Sequence, residues 1–484
     1  MSRSLYRFRS TDALLRTYKE LENQEIFFAS PHELNDPMEA YRDIQWRGDD
    51  ILWSNLLRHY VRNLTVLSFG VNLARQGIFL TREQLQLFDF EYRAGLHRTL
   101  LPRAEKALLA FFADENVLAA VTALGQLQVP LGREALWLIL TPIHAFAQFL
   151  VEKALGPDYG MFEPPDDRGE RWTKIAKLLK GLPSVIAAIA DAAGRLGSTS
   201  EVGDFFGALS NISLQQELAL RVRLGQEFPG GWIQETYLKR YPEEFLRALE
   251  HLTFPRRYLA SFSENCTDSF MWSHYSDYHR GVCLKFRFDD ENGKLSLPLS
   301  APVGLGEDGK PLIQTVSMEC VPVNYSETFP TVDFFRSLGM IPRDVLMKQW
   351  YRAPDGRASD RVTDVILEDP TWRDQYWSVY GKHLTHKLLD WQHEREYRLL
   401  LNSMDLQLRQ SAQRKCVYLF ERLEGIVFGM QTSIADKLAI LKLIEQKCAK
   451  SGRTDFQFFE ANYSARLRSI EAKPMSLLKL AKGS

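Results

Sequence analysis

The five cysteines of this 484-residue chain (Cys266, Cys283, Cys320, Cys416 and Cys448) include no Cys-x-x-Cys pair. That spacing argues against a zinc ribbon or a dithiol redox centre. An odd count in a chain this long does not read as a disulfide framework either. An excess of one charge is also lacking: 60 Lys and Arg oppose 61 Asp and Glu, a formal net charge of −1. The chain therefore carries no global electrostatic footprint for nucleic acid, and binding there would need a local basic patch. Long apolar runs are missing too. Ala135–Val151 is uncharged but is broken by Pro142, His144 and Gln148. It falls short of the roughly 20 apolar residues of a membrane span and reads as a buried core helix. No apolar h-region follows the basic segment Met1–Arg9, so no signal peptide is expected. P-loop, GxGxxG, GxSxG and HExxH patterns are absent, which removes the commonest nucleotide, hydrolase and zinc-protease signatures. The remaining composition, 45% hydrophobic and 25% charged, is that of a globular protein of several units. The expectation is a cytoplasmic protein without a membrane partner.

The chain changes character twice. Leu5-Tyr-Arg-Phe-Arg9 alternates as a half-buried strand does. Ala13–Leu21 follows the cap cluster Ser10-Thr-Asp12 with helical spacing. Glu25–Pro31 is a short β-rich run, and in His32–Pro37 the side chains of Asn35 and Asp36 are expected to bond back to their own backbone in a turn. Residues 49–252 read as helical, with breaks at Glu163–Asp167 and Gly197–Ser200. From residue 253 strands return: Tyr258–Ser263, Gly281–Phe288, Cys320–Tyr325, Glu396–Leu401, Cys416–Phe420, Gly425–Gly429 and Phe456–Glu460. Gly304–Lys310 and Pro354–Asp360 read as polar loops, and Phe334–Leu338, Asp374–Leu389 and Ile434–Lys447 as helices. The expected fold class is α+β: a mixed, mainly antiparallel sheet core built from residues 1–48 and 253–484, interrupted by a long all-helical insertion.

Two segments could carry chemistry. Ser261–Phe286 holds Ser263, Glu264, Trp272, Tyr275, Tyr278 and His279 among others. Trp272, Tyr275 and Tyr278 at i, i+3 and i+6 could form one aromatic face for a flat ligand such as a base, or could pack in the core. Trp391–Arg398 contains Glu394 and Glu396, two apart, so that on a strand both point one way. Paired carboxylates can supply a base or hold a substrate hydroxyl. The alternative is that they form ion pairs with Arg398 or with distant arginines such as Arg7 and Arg9. His383, His386 and His393 form an HxxH with a later histidine, which does not match a known metal motif.

Four blocks resemble an uncharacterised bacterial family, domain of unknown function 2971: Leu5–Ser10 with Ile26–Pro31 and Leu34–Pro37, then Ser261–Glu264 with Met271–Tyr275 and His279–Cys283, then Trp391–Arg398, then Ile426–Gly429. The resemblance covers about residues 5–47 and 253–471 and says nothing of the helical middle. It implies a bacterial cytoplasmic protein, with some members near mobile or defence genes, and no settled activity. The order of elements is also similar to ADP-ribosyltransferase-like folds, although Ala29-Ser30-Pro31 stands where those carry a Ser-Thr-Ser turn. The polar and aromatic residues gathered in these blocks, Tyr6, Arg7, Arg9, Asn35, Asp36, Ser263, Glu264, Trp272, Tyr275, His279 and Arg398, are the candidate substrate-binding residues, and within the likeness Arg7 and Arg9 would hold phosphate. That likeness makes Glu396 the catalytic carboxylate and leaves Glu394 to orient the ribose. NAD is the cofactor the likeness offers, with a nucleotide or nucleic acid as partner and protein contacts on the helical region. A non-enzymatic binding module is the rival, and a magnesium nuclease a third option.

Overall fold

The computed structural model describes residues 2–36, 38–39, 41–82, 84–91, 95–159, 169–196, 231–254, 257–306, 310–367, 369–402, 408 and 411–478. The breaks expected at Glu163–Asp167 and Gly197–Ser200 lie outside them. The chain is α+β, with a mainly antiparallel sheet and a long helical insertion, and it divides into two units. Met1–Tyr41, Pro255–Pro330 and Gly381–Ser484 form the strand-bearing unit; Arg42–Phe254 and Thr331–Tyr380 form the helical one. Residues 331–380 therefore group with the helices and not with the strands that flank them in sequence.

Fifteen strands occur among the described residues: β1 Ser2–Arg9, β2 Glu25–Phe27, β3 Asp43–Gln45, β4 Arg257–Ser263, β5 Val282–Glu291, β6 Lys294–Leu305, β7 Pro311–Pro322, β8 Asn324–Ser326, β9 Thr331–Asp333, β10 His386–Leu388, β11 Glu396–Asn402, β12 Lys415–Tyr418, β13 Leu423–Phe428, β14 Gln457–Ser464 and β15 Ser469–Pro474. Eleven make one sheet in the order β15-β14-β13-β5-β1-β4-β11-β7-β6-β12-β2, in which only β13 and β14 run parallel. β6 also pairs with β5, so the pairings β5-β1-β4-β11-β7-β6 close on themselves. A second route runs through β12 and β2, and the bridge between Ala29 and Leu259 returns it to β4.

The period of two decides which side chains meet. On β1, Tyr6 and Phe8 join Met271, Trp272 and Cys283 in one cluster, while Leu5 belongs to a larger one with Phe262, Phe286, Leu299 and Leu399. On β4 and β11, Phe262 and Leu399 belong to that larger core. Ser261 and Ser263 sit opposite Arg398 and Glu396 on the alternate face. One face of this strand pair is thus apolar and the other carries ionisable groups.

Two glycines fix a crossing next to β1. A Cβ on Gly281 would stand 2.3 Å from the Arg9 carbonyl oxygen, and one on Gly429 2.2 Å from that of His279. Only glycine permits such approach. In the helical unit the long apolar helix Arg133–Gly156 has a mean hydropathy of 1.4 over its best stretch, 67% of which is buried within the structure. Its buried face includes Leu136, Ile139, Leu140, Ile143 and Phe146, a core helix as expected. Ala13–Thr17 forms a wide π-type turn and Glu20–Asn23 a separate short helix, where the sequence suggested one helix. Lys19 between them takes the left-handed conformation, which ends continuous α-helix. Phe334–Leu338 is a turn, not a helix. All five cysteines are free and buried.

Candidate functional site

A cavity of about 770 Å³ opens in the strand-bearing unit, within the range of small-molecule sites. Each wall is supplied by a short piece of chain with its own reason to be there. β1 brings Arg7, β4 brings Ser261 and Ser263, β11 brings Glu396, and β10 brings Lys387. Glu394 ends the 3-10 helix Leu389–Glu394, and Arg395 then adopts φ 44° so that the chain can turn into β11. Tyr275 ends the helix Ser269–Tyr275, which is capped by Asp268 accepting from the amides of Phe270 and Met271. Asn35 and Glu39 come from the turn after Pro31–Glu33, itself fixed by a capping box between Ser30 and Glu33.

Arg7 is 8% exposed and donates from Nη1 to the carbonyl of Ser261 (3.0 Å) and from Nη2 to that of Phe27 (3.1 Å). It thereby ties β1 to both β4 and β2. Among the described residues no carboxylate lies within ion-pair distance of it; Glu20, whose charge it feels, is committed to Arg9. Burial, and then the Arg9 charge, pull the Arg7 guanidinium down to about 10. Two of its five N–H donors are used. Its charge meets two carbonyl dipoles and the Phe262 ring at 5.6 Å but no acid, and an anion in the cavity would compensate it further.

Opposite lies an ionic cluster. Glu396 is bidentate to Arg398 (Nε to Oε1 2.9 Å, Nη2 to Oε2 2.8 Å), and Arg398 also meets Glu39 Oε1 at 2.7 Å and donates to the Leu384 carbonyl. Lys387 Nζ stands 2.7 Å from Glu394 Oε2, 3.5 Å from Glu39 and 3.6 Å from Glu396, with the Trp391 ring 4.5 Å away. Tyr275 donates to Glu394 Oε1 at 2.6 Å. Burial alone would raise the Glu396 carboxyl, but Arg398 and Lys387 bring it below its ordinary range. Burial wins at Glu39, which is pushed up. At Lys387 burial opposes the charge, and the three carboxylates outweigh it and raise the ammonium. Burial, then the Glu394 charge, drives the Tyr275 phenol far up, so it stays protonated and donates.

Of the sequence-derived candidates, Tyr6, Arg7, Arg9, Asn35, Ser263, Tyr275, Glu394 and Glu396 all line this cavity. Five do not. Trp272 is fully buried, its indole N–H donating to the Cys266 carbonyl at 2.7 Å and its ring edge-on to Phe8, so it offers no stacking face. The aromatic face with Tyr278 does not form, because the Ser276 hydroxyl bonds back to the Trp272 carbonyl and Asp277, Tyr278 and His279 all turn left-handed. Tyr278 ends 67% exposed, and His279 stacks against Trp272. Glu264 pairs with Arg3 at the surface. Asp36 is buried and accepts from the Met38 amide, the turn bond expected of it, whereas Asn35 faces Tyr275. Arg398 sits one layer behind the cavity. Sequence reasoning missed Glu39 and Lys387. Glu39 lies two residues beyond the Asn-Asp-Pro motif, and Lys387 follows His386 directly in the histidine pattern. Among the described residues no group of three or more His, Cys, Asp or Glu gathers to hold a metal. Compared with protein-family models, curated proteins and solved structures, the chain matches none.

Proposed function

We propose that the strand-bearing unit is a nucleotide-handling bacterial effector, with ADP-ribosyltransferase-like chemistry on NAD or a nucleic-acid end. One observation carries this reading: residues from three sequence blocks far apart in the chain, Arg7 and Asn35, Tyr275, and Glu394 with Glu396, line one ligand-sized cavity. In this reading Arg7 gives its remaining donors to a phosphate, and the carboxylates accept from ribose hydroxyls as positive charge builds at C1′. The C1′–N bond of the nicotinamide riboside breaks and its electron pair leaves on the ring nitrogen, which loses its positive charge. The acceptor's nucleophile then bonds C1′ and gives up its proton.

The test is calorimetry with NAD, together with chromatographic detection of released nicotinamide, on the full chain and on the double variant Glu394→Gln/Glu396→Gln. Release by the unaltered chain that disappears in the variant is expected. Release that persists in the variant removes the carboxylates from the chemistry. A second reading, a non-enzymatic binding module, is favoured by the burial of Glu394 (2% exposed) and Glu396 (5%) in ion pairs. NAD binding without nicotinamide release selects it.

A further inference from the structure

The two carboxylates are not equivalent. A carboxylate offers about four lone-pair positions. On Glu396, both oxygens are taken by Arg398, which does not line the cavity, and Lys387 stands 3.6 Å from Oε2. On Glu394, Tyr275 takes one position on Oε1 and Lys387 one on Oε2, at 2.6 and 2.7 Å. Two positions on Glu394 stay open, on a side chain that lines the cavity.

We propose that Glu394 is the carboxylate that meets the ligand, and that Glu396, Arg398, Glu39 and Lys387 form the frame that positions it. The inference rests on the nucleotide reading above and exchanges the roles expected of the two glutamates. Lys387 is the linking member, with its ammonium within 4.0 Å of all three acids. Since open lone pairs take donors, the ligand group at Glu394 is a pair of hydroxyls such as the vicinal diol of a ribose. Glu396 instead turns both oxygens to Arg398, away from the lining, whereas both partners of Glu394, Tyr275 and Lys387, line the cavity.

Calorimetry with NAD and thermal melting on the full-length single variants test this. Glu394→Gln keeps the shape, loses the charge, and weakens NAD at least about tenfold, as loss of a hydrogen bond to a charged group does. Its melting temperature also falls, because Lys387 loses its nearest acid and keeps Glu39 and Glu396 only at 3.5 and 3.6 Å, so the NAD affinity of the folded variant is the deciding readout. Glu396→Gln lowers the melting temperature clearly, because Arg398 loses its bidentate partner. Its folded form binds NAD within about threefold of the unaltered chain. A Glu396→Gln protein that does not fold also supports the framing role, and the Glu394 variant then decides alone. NAD binding unchanged in Glu394→Gln, or abolished in a folded Glu396→Gln, overturns the inference while leaving the nucleotide reading in place. No NAD binding by the unaltered chain overturns that reading and this inference with it.

Discussion

Arg7→Met separates the ligand role of the buried guanidinium from its structural one. Methionine keeps most of the length and removes the donors to the carbonyls of Ser261 and Phe27. Each carbonyl left without that donor costs about 1–3 kcal/mol, so the loss is roughly 2–6 kcal/mol. Against it stands relief of the unpaired charge. The fold pulls Arg7 well below its ordinary value, to about 10. At 1.36 kcal/mol per pKa unit, carrying the charged form costs roughly 3 kcal/mol at neutral pH. The two terms largely offset, and urea unfolding is expected to show a net loss under about 3 kcal/mol. Anion binding, in contrast, is expected to vanish. Inorganic pyrophosphate at constant ionic strength raises the melting temperature of the unaltered chain by mass action and leaves that of the variant in place. A loss above about 5 kcal/mol would show that Arg7 is chiefly a brace between strands. An unchanged pyrophosphate response would refute the anion site.

Three further outcomes are expected. His144, in the helical unit, is held down to about 4 by burial, against 6.5 when unfolded. As pH falls below 6.5 the unfolded chain takes up the proton first, so stability drops by roughly 3 kcal/mol by pH 4. Urea titrations at the two pH values should show a smaller drop in His144→Gln; an identical drop would place the effect elsewhere, for example at His59, which burial also lowers. Gly429→Ala pushes a Cβ to 2.2 Å from a backbone oxygen and should cost about 3 kcal/mol or more. Gly194→Ala, on an open helical position, should gain up to about 1 kcal/mol, and equal effects at the two sites would contradict the crossing geometry. Trp272→Phe loses a buried hydrogen bond and should cost about 1–3 kcal/mol without altering NAD affinity. A loss of NAD affinity in a folded variant would return Trp272 to the ligand site.

The alternation of Leu5 to Arg9 and the apolar run of β11 were legible because strand burial imposes a period of two. β6 was not anticipated, although Leu295, Leu297 and Leu299 alternate in it, because Pro298 sits in their midst. A turn signal stood just ahead of it: Asn292 and Gly293, both at positive φ, form the two-residue hairpin between Glu291 and Lys294. The candidate site was legible where a motif placed ionisable groups on strands, as with Arg7 and Glu396. It was illegible where a contact depends on tertiary folding. Nothing local says that Glu39 meets Arg398, or that Arg7 finds carbonyls and no acid. The tryptophan was misjudged because residue type alone does not separate a stacking platform from a core ring, and Asp277 to His279 end the helix before its aromatic face is complete.

The position of β1 between β5 and β4 has a consequence for how the protein is made. Arg7 and the Ser261 carbonyl it holds are separated by 254 positions. At translation rates of about 5–20 residues per second, β1 waits on the order of ten to fifty seconds for a neighbour. During that interval the intervening helices emerge, while the first strand has no ladder to join. The cavity is not complete until Lys415, which lines it, has left the ribosome, so a nascent chain halted earlier lacks part of its wall.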